Sequence, residues 1–492
     1  MPRKGEKGSE RPLRIAVIGA GASGILCGVK FLEAGYNDLV IYEKADRPGG
    51  TWRENRYPGL SCDVPSHVYR YSFEPNAEWT HLFSPGNEIQ DYLEGTVEKY
   101  GVDRFIRYGQ EVSRCEFDGV RWQLETAGGE HDVADIVICA TGVLHHPRFP
   151  EIEGLESFEG ECFHSAQWDD EVALPGRRVG IIGNGSTGVQ ITTALTERAA
   201  HLSLFQRTPQ WIMPQENPAY SEEDKRNFRQ NPSVLENIYR ELNKSFVTNF
   251  SHAVVDAESE AIKMVEEICR AHLDETVLDP ELKAKLTPNY RAGCKRLVVA
   301  GGFYEAIQQP HTELVTEEIE RVEEKGVRTR DGKLHPLDVL VLATGFQTHQ
   351  FMRPMQVSGR DGKRLDDAWA DANRSYLSIS IPDFPNFFML IGPYSPVGNF
   401  SLIGVAESQL AYIMQLVDLI RQGKARQVSA DPAATDRFFA AMVKATKGTI
   451  WATGCQSWYL DKSGVPASWP WDYTYFEERM AKPNLEDYEI VT

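Results

Sequence analysis

The chain has 492 residues, of which 52 are basic and 71 are acidic, so its formal net charge is -19. A chain of this length predicts two or three lobes instead of a single core. The excess of carboxylates argues against a nucleic-acid partner, because a phosphate backbone would be repelled.

Hydropathy and cysteine spacing further limit the class of protein to which the chain can belong. No stretch reaches the roughly 20 uninterrupted apolar residues of a membrane span, and residues 1–14 lack the apolar core of a signal peptide. The cysteines include no C-x-x-C pair and no His/Cys group at metal-ligand spacing. We therefore expect a cytoplasmic protein without a membrane span or a metal. Its eight cysteines are expected to be reduced thiols: Cys27, Cys62, Cys115, Cys139, Cys162, Cys269, Cys294 and Cys455.

The first recognisable unit lies at residues 14–43, where an apolar run, a glycine turn, a helical pattern and a second apolar run predict βαβ. Its turn reads Gly19-x-Gly21-x-x-Gly24, the spacing that lets a backbone approach a pyrophosphate at a helix N-terminus. Glu43 follows about 20 residues later, where a carboxylate accepts hydrogen bonds from ribose hydroxyls. A plain dinucleotide fits, including the ADP half of FAD. The alternative is that the glycines only pack a structural helix.

A second unit of the same order occupies residues 177–207 and carries Gly183-x-Gly185-x-x-Gly188. Arg207 stands where the first unit has its acidic residue. An acid there would repel a 2′-phosphate, whereas a guanidinium pairs with it, so this site is expected to prefer NADPH. Thr208 adds a possible hydroxyl contact. The alternative for Arg207 is a solvated arginine at a strand end.

Charged, helix-favouring sequence without turn signals fills residues 215–290 and predicts a helical insert. The fold class expected is therefore α/β, with two Rossmann-like dinucleotide-binding domains, for FAD and NADPH, and a helical insertion in the NADPH domain. Apolar strands at 135–142 and 338–345 each end in Ala-Thr-Gly and mark boundaries. The expected division is an FAD domain at 1–145 and 350–492, its C-terminal part also lining the substrate pocket, an NADPH domain at 146–214 and 291–349, and the helical insert at 215–290.

Two dinucleotide sites in one chain indicate a flavin oxidoreductase, since a nicotinamide gives its hydride to a flavin held opposite it. A disulfide reductase would need a C-x-x-C pair. Composition alone leaves oxygenation and plain reduction open. A hydrolase is not indicated, because the glycine-flanked Ser23 and Ser186 lie inside the phosphate turns.

Two further motifs resemble those of type I Baeyer-Villiger monooxygenases, a family of class B flavoprotein monooxygenases. The first is Gly49-Gly50-Thr51-Trp52 followed by Tyr57-Pro58-Gly59 and Asp63. The second is Phe158-x-Gly160-x-x-x-His164-x-x-x-Trp168-Asp169, between the two units. The resemblance covers nearly the whole chain, is strongest up to about residue 215, and weakens afterwards. It implies that the second motif couples domain movement to NADPH binding.

A third match, Pro288-x-Tyr290-x-x-Gly293-Cys294-Lys295-Arg296, resembles the family segment that supplies an arginine to the flavin and a lysine to NADPH. The resemblance implies that Arg296 is catalytic, that Asp63 orients it, and that Tyr69 contacts the flavin. The chemistry is sensible, because a flavin C4a-peroxide and the tetrahedral Criegee adduct it forms with a ketone are anions that a fixed cation stabilises. Read without the resemblance, Asp63 caps a turn, Tyr69 fills the core, and Lys295 and Arg296 form a solvated face.

The resemblance implies that a ketone and O2 become an ester or a lactone. The expected FAD contacts are Gly19, Gly21, Ala22, Ser23, Gly24, Glu43, Lys44, Gly50, Thr51, Trp52, Asp63, Tyr69 and Val112. The expected NADPH contacts are Gly183, Gly185, Ser186, Thr187, Gly188, Arg207, Thr208, Lys295 and Arg296.

Two other functions stay open at this point. The related flavin monooxygenases that oxidise nitrogen or sulfur have a similar second motif, typically with another aromatic residue where Trp168 stands. A non-catalytic NADPH-sensing protein that kept the fold is the remaining alternative. The segment Gly392-Pro393-Tyr394-Ser395-Pro396 resembles a family stretch in which glycine stands at the Tyr394 position, so the shape of the substrate pocket is open.

Overall fold

The computed structural model describes residues 12–398 and 400–492. The strands are β1 (Ile15–Ile18), β2 (Leu39–Tyr42), β3 (Ile106–Arg107), β4 (Val112–Phe117), β5 (Trp122–Thr126), β6 (His131–Ala134), β7 (Ile136–Cys139), β8 (Glu161–His164), β9 (Arg178–Ile182), β10 (His201–Phe205), β11 (Ile212–Pro214), β12 (Val298–Ala300), β13 (Thr312–Val315), β14 (Ile319–Glu323), β15 (Gly326–Thr329), β16 (Leu334–Pro336), β17 (Val339–Leu342), β18 (Gln356–Ser358), β19 (Phe387–Met389), β20 (Gln427–Ala430) and β21 (Tyr488–Val491). The helices are α1 (Ala22–Glu33), α2 (Thr51–Glu54), α3 (Gly86–Lys99), α4 (Ser186–Leu195), α5 (Glu222–Gln230), α6 (Pro232–Ser245), α7 (His252–Val255), α8 (Glu260–Thr276), α9 (Pro280–Leu286), α10 (Phe303–Ile307), α11 (Leu365–Ala368), α12 (Leu402–Arg421), α13 (Pro432–Thr446) and α14 (Tyr473–Ala481).

The first sheet has the strand order β19-β7-β1-β2-β3, and every neighbouring pair is parallel. All residues of β1, β2 and β7 are buried, which explains why these strands are continuous apolar runs. Helix α1 connects β1 to β2, as in a βαβ unit. The last 150 residues contribute β19 to the edge of this sheet.

The second sheet has the order β13-β10-β9-β17-β8 and is also parallel throughout. Helix α4 connects β9 to β10, so the arrangement of the first unit is repeated. The predicted α/β class with two Rossmann-like units is confirmed.

Smaller sheets flank these two. A four-stranded sheet, β18-β4-β5-β6, and the three-stranded β14-β15-β16 lie outside the parallel layers, and β20 pairs antiparallel with β21. These sheets were not predicted, although β5 alternates buried and more exposed residues as a half-covered strand does.

The insertion in the second unit is helical, with α5 to α9 occupying most of Glu222 to Leu286, and this prediction is confirmed. A capping box at Ser221 and Asp224 starts α5, and Ser259 caps α8. A π-helix, Phe246–Ser251, joins α6 to α7. The insertion packs on the C-terminal part of the chain through a cluster that includes Ala253, Ile262 and Trp451.

Helix α12 is long and apolar enough to cross a membrane by length and composition. It instead packs against α1 and α14, and 56% of its most apolar window is buried inside the protein. A helix covered on several sides by its own chain is a core helix.

The prediction that all eight cysteines are reduced thiols is wrong for one pair. Cys294 and Cys455, which are 161 positions apart in the sequence, form a disulfide with their Cα atoms 6.1 Å apart. The sequence gives no sign of it, because two cysteines this distant are paired only by the fold. The other six are free, and all but the exposed Cys162 are buried.

Candidate active site

The first phosphate turn lies between β1 and α1. Gly19 has a φ of +104°, and a Cβ at Gly24 would lie 1.8 Å from the Gly19 carbonyl oxygen, so the turn excludes larger residues at both positions. Ala22 and Ser23 form the first turn of α1, which contains no acidic residue. The helix N-terminus therefore offers backbone N–H groups and a positive dipole end to an anion.

Glu43 follows β2 and is buried, with 5% of its surface exposed. Its Oε2 accepts the Ala20 N–H at 2.8 Å and its Oε1 accepts the Ala45 N–H at 2.9 Å. The carboxylate thus braces the phosphate turn, and each oxygen keeps a further lone pair for a ligand hydroxyl. Lys44 is exposed next to it, and Val112 is buried at the start of β4, two residues after the Gln110 N–H that donates to the Glu43 carbonyl.

Gly50, Thr51 and Trp52 begin the short helix α2 beside this turn. A Cβ at Gly50 would lie 2.9 Å from the Gly21 Cα, so the two backbones touch. The Trp52 Nε1 donates to the Tyr69 hydroxyl at 3.1 Å, and their rings meet edge to face. This contact fixes the indole and the phenol as one wall of the site.

The second phosphate turn lies between β9 and α4, with Ser186 and Thr187 in the first helical turn, which again contains no acidic residue. Gly183 has a φ of +107°, and a Cβ at Gly188 would lie 1.9 Å from the Gly183 carbonyl oxygen. Gly185 differs from Gly183 and Gly188, because a Cβ at Gly185 would meet no protein atom within 4 Å. Nothing in the protein requires glycine at this position, whereas a pyrophosphate against the backbone does.

Two cations lie near the end of β10. Arg207 is exposed and Thr208 half-buried, and the Thr208 carbonyl accepts the side-chain amide of Asn184 at 2.9 Å. Burial, and secondly the charge of Arg207, lower the pKa of Lys295, whose Nζ also lies 4.9 Å from the centroid of the Tyr290 ring. Within residues 12–398 and 400–492, neither cation forms an ion pair with a carboxylate. Two close cations without a counter-ion favour an anionic ligand.

Arg296 and Asp63 are 233 residues apart in the sequence and form a direct ion pair. The Arg296 Nη2 donates to the Asp63 Oδ2 at 2.5 Å, and the two side chains keep 35% and 21% of their surface accessible. The carboxylate raises the pKa of Arg296, mainly through its charge. The guanidinium is thus a permanent cation that still opens onto the site.

Helix α4, which starts at the second phosphate turn, contacts Tyr57, six residues before Asp63. The Thr187 hydroxyl lies 3.4 Å from the Tyr57 hydroxyl, which itself donates to Gln190 Oε1 of α4 at 3.0 Å. Burial is the main cause that raises the pKa of Tyr57 to about 12, and the charge of Asp63 adds to it. Asp63 and Arg296 also act electrostatically on Tyr69. One cluster therefore connects α2, the ion pair and α4.

The motif from Phe158 to Asp169 lies along β8, at the edge of the second sheet. A Cβ at Gly160 would lie 2.5 Å from the Asp338 carbonyl oxygen, and His164 is completely buried, its Nδ1 accepting the Ala166 N–H at 3.1 Å. Burial lowers the pKa of His164. The His164 ring is therefore a buried, neutral imidazole.

The end of this motif faces the first unit. The Trp168 ring packs edge to face on Phe163, and its carbonyl accepts Arg56 Nη2 at 3.4 Å. Asp169 accepts the Glu171 N–H at 2.9 Å and so caps a turn. The motif forms a contact between the two dinucleotide units.

Two features of the site were not predicted from the sequence. Tyr459 is within hydrogen-bonding reach of the Arg296 guanidinium, and the Cys294–Cys455 disulfide ties its segment to that of the arginine. The aromatic-rich ending around Tyr459 was visible in the sequence, but nothing there indicated which ring reaches the centre.

Two parallel sheets, each with a phosphate turn, and a cation–carboxylate pair between them define a flavin-dependent oxidoreductase with a nicotinamide site. The model of the pyridine nucleotide-disulphide oxidoreductase family matches residues 16–236. An uncharacterized monooxygenase of Mycobacterium tuberculosis is 48% identical over 97% of this chain and 96% of its own. A Baeyer-Villiger monooxygenase of Streptomyces coelicolor is 36% identical over 97% of this chain and 93% of its own.

Solved structures of monooxygenases have the same fold as this chain. Cyclohexanone monooxygenase from Rhodococcus sp. Phi1 bound to NADP+ superimposes with a TM-score of 0.87 at 30% identity, covering 98% of this chain and 99% of that one. The OTEMO complex with FAD and NADP gives a TM-score of 0.89 at 26% identity, covering 97% and 99%. The chain belongs to the Baeyer-Villiger monooxygenase family. It is an FAD- and NADPH-dependent monooxygenase.

Proposed function

We propose that this site converts a ketone, O2, NADPH and a proton into an ester or a lactone, NADP+ and water. The observation that carries the proposal is the accessible Arg296–Asp63 ion pair, which lies near Tyr57 and Tyr69 between α2 and α4. Bound FAD, once reduced by NADPH, supplies the activated oxygen. The similarity to cyclohexanone monooxygenase supports a ketone as the substrate.

The residues present fit both dinucleotides. At the first turn, the N-terminus of α1 takes the FAD pyrophosphate, Glu43 takes ribose hydroxyls, and the Trp52–Tyr69 wall lies beside the flavin. At the second turn, Gly185 leaves room for the NADPH pyrophosphate, and Arg207 and Lys295 pair with its 2′-phosphate. NADPH is preferred to NADH because only the 2′-phosphate supplies the missing counter-ion.

Arg296 is the catalytic residue of this proposal. Its guanidinium stabilises the negative charge that develops as oxygen is added to the carbonyl carbon, and it needs no reorganisation because Asp63 holds it. Asp63 acts through the arginine and is a positioning residue. The ion pair with Asp63 also holds the Arg296 guanidinium in a partly buried position.

Three further points complete the proposal. The Phe158–Asp169 motif transmits movement between the dinucleotide domains, because Trp168 contacts Arg56 of the first unit. The FAD domain comprises 1–145 and 350–492, the NADPH domain 146–214 and 291–349, and the helical insert 215–290, with β19 in the first sheet and β17 in the second supporting the division. The enzyme acts in the cytoplasm, where NADPH is supplied.

Replacing Gly185 by alanine is expected to leave the fold intact and to weaken NADP+ binding. The added methyl group meets no protein atom within 4 Å, but it occupies the space that the pyrophosphate needs. We expect an unchanged melting temperature without NADP+ and a rise in the NADP+ dissociation constant of about tenfold or more. Fluorescence titration and thermal denaturation measure these two quantities.

Gly188→Ala is the contrasting variant, because its Cβ would lie 1.9 Å from a backbone oxygen. That substitution is expected to lower the melting temperature even without ligand. Unchanged NADP+ affinity in Gly185→Ala would contradict the position assigned to the pyrophosphate.

Aerobic incubation of the holoenzyme with NADPH and cyclic, aryl and long-chain ketones tests the reaction. With ¹⁸O2, one labelled oxygen atom is expected in an ester or lactone, with one NADPH consumed for each product formed. A sulfide and a tertiary amine serve as parallel substrates. Labelled sulfoxide or N-oxide without any labelled ester would show that heteroatom oxidation, and not ketone oxidation, is the activity.

A further inference from the structure

Tyr459 belongs to a part of the chain to which neither the motifs nor the proposed function gives a role. Its side chain is 3% exposed, and its hydroxyl lies within hydrogen-bonding reach of the Arg296 guanidinium. Arg296 already donates to Asp63 on another side. The guanidinium is therefore bonded to a carboxylate and lies beside a phenol, and these two groups come from segments far apart in the sequence.

The phenol has little freedom to move. A Cβ at Gly398 would lie 2.0 Å from the Tyr459 hydroxyl oxygen, so the hydroxyl presses against the backbone after the Gly392–Pro396 segment. The ring stacks on Trp458 at 4.1 Å and lies 5.4 Å from Trp451. The backbone carbonyl of Tyr459 accepts the Ala467 N–H at 2.7 Å. A phenol fixed on three sides defines one place for its hydrogen-bond partner.

A covalent link connects the two segments. Cys455 precedes Tyr459 by four residues, Cys294 precedes Arg296 by two, and the two cysteines form the disulfide. Both cysteines and Tyr459 belong to one buried cluster with Trp451. The disulfide thus limits how far the phenol and the guanidinium can separate.

We propose that Tyr459, tethered by the Cys294–Cys455 disulfide, is a positioning residue that sets the orientation of the Arg296 guanidinium. The hydroxyl accepts one N–H and Asp63 accepts another, so the remaining N–H groups face the accessible side of the site. Without the hydroxyl, the guanidinium keeps its charge and its bond to Asp63 but gains a rotation about that bond. This inference rests on the proposed role of Arg296.

The test compares Tyr459→Phe with wild-type holoenzyme at saturating NADPH and ketone. We expect the ratio of ester to hydrogen peroxide to fall by about tenfold or more, the effect of losing one hydrogen bond to a charged group. The KM for NADPH and the rate of FAD reduction are expected to stay close to wild type. This separation between oxygen insertion and cofactor use is not expected from a general loss of structure.

A second readout does not depend on catalysis. Denaturant unfolding of wild type, Tyr459→Phe, Arg296→Ala and the double variant forms a double-mutant cycle for the two side chains. We expect the effects to be non-additive, because each single change already breaks the contact. Additive effects would show that the phenol and the guanidinium do not interact.

The tether is tested with Cys455→Ser. This variant is expected to lower the ester-to-peroxide ratio, and adding it to Tyr459→Phe is expected to lower the ratio little further. It also replaces the first variant if Tyr459→Phe folds poorly. Tyr412→Phe, which loses a buried hydroxyl bonded to Tyr488 at 3.0 Å, and Cys269→Ser, which changes a buried free thiol, are the matched controls expected to match wild type.

The outcomes separate this inference from the proposed function. If wild type forms no ester from any ketone, the proposed function is wrong. If wild type forms ester, Arg296→Ala does not, and Tyr459→Phe and Cys455→Ser keep the wild-type ratio, the function stands and the role of Tyr459 is wrong.

Discussion

Replacing Arg296 by alanine is expected to abolish ester formation while FAD stays bound and NADPH still reduces it. The reason is that the guanidinium stabilises charge that appears only during oxygen insertion, while Asp63 holds it in place beforehand. Removing a preorganised charge of this kind lowers the rate by a factor on the order of 10²–10³ or more. NADPH consumption should then end in hydrogen peroxide. Stopped-flow reduction of FAD and product analysis measure the two half-reactions separately.

Arg178→Ala is a matched control for this change. Arg178 also pairs with an aspartate, Asp338, at 2.6 Å, but at an end of the second sheet away from the turns. The Arg178→Ala variant is expected to form ester at the wild-type rate. Ester formation near the wild-type rate in Arg296→Ala would show that another group stabilises the charge.

Replacing Arg207 by alanine is expected to weaken NADPH binding far more than NADH binding. Only NADPH loses a charge-assisted pair, which contributes about 1.5–3 kcal/mol and corresponds to roughly a 10–150-fold rise in dissociation constant. The lowered pKa of Lys295 reflects partly the same pair of neighbouring cations. Titration of each oxidised and reduced nucleotide gives the dissociation constants directly.

Arg198→Ala removes an exposed arginine just after α4 that forms no ion pair within the described part of the chain, and serves as the control. Arg207→Lys is expected to retain part of the preference, because an ammonium keeps the charge but not the bidentate geometry. Equal losses of affinity for NADPH and NADH in Arg207→Ala would show that Arg207 does not bind the 2′-phosphate.

The fold was largely predictable where local chemistry dictates the backbone. The turns at Gly19–Gly24 and Gly183–Gly188 tolerate no larger residue at their closest contacts, and the strands before them are buried on both faces, so the pattern specifies a βαβ unit. The flanking sheets were missed although most of their pairs, such as β4 with β5, join consecutive strands. Their strands are short, and β18, which pairs in parallel with β4, comes from over 200 positions away. No periodicity in the sequence encodes such partners.

The candidate site could likewise be predicted only in part from the sequence. The contact between Asp63 and Arg296 was anticipated only through a family resemblance, since neither residue has a local signature. Tyr459 and Cys455 lay outside the motifs, and their contacts depend on how the C-terminal segment folds back on the arginine. Which atom of a ligand each expected cofactor residue contacts stays a prediction.

The place of β19 has a consequence for how the chain is made. The first sheet is opened by β1 at residue 15, but its edge beside β7 is closed only by residues 387–389. During synthesis the ribosome must therefore complete the second dinucleotide unit and the helical insertion before the first sheet can finish. Until then β7 is an exposed apolar edge strand, the kind of surface that pairs with other chains. Release of the nascent chain before residue 389 should therefore favour aggregation.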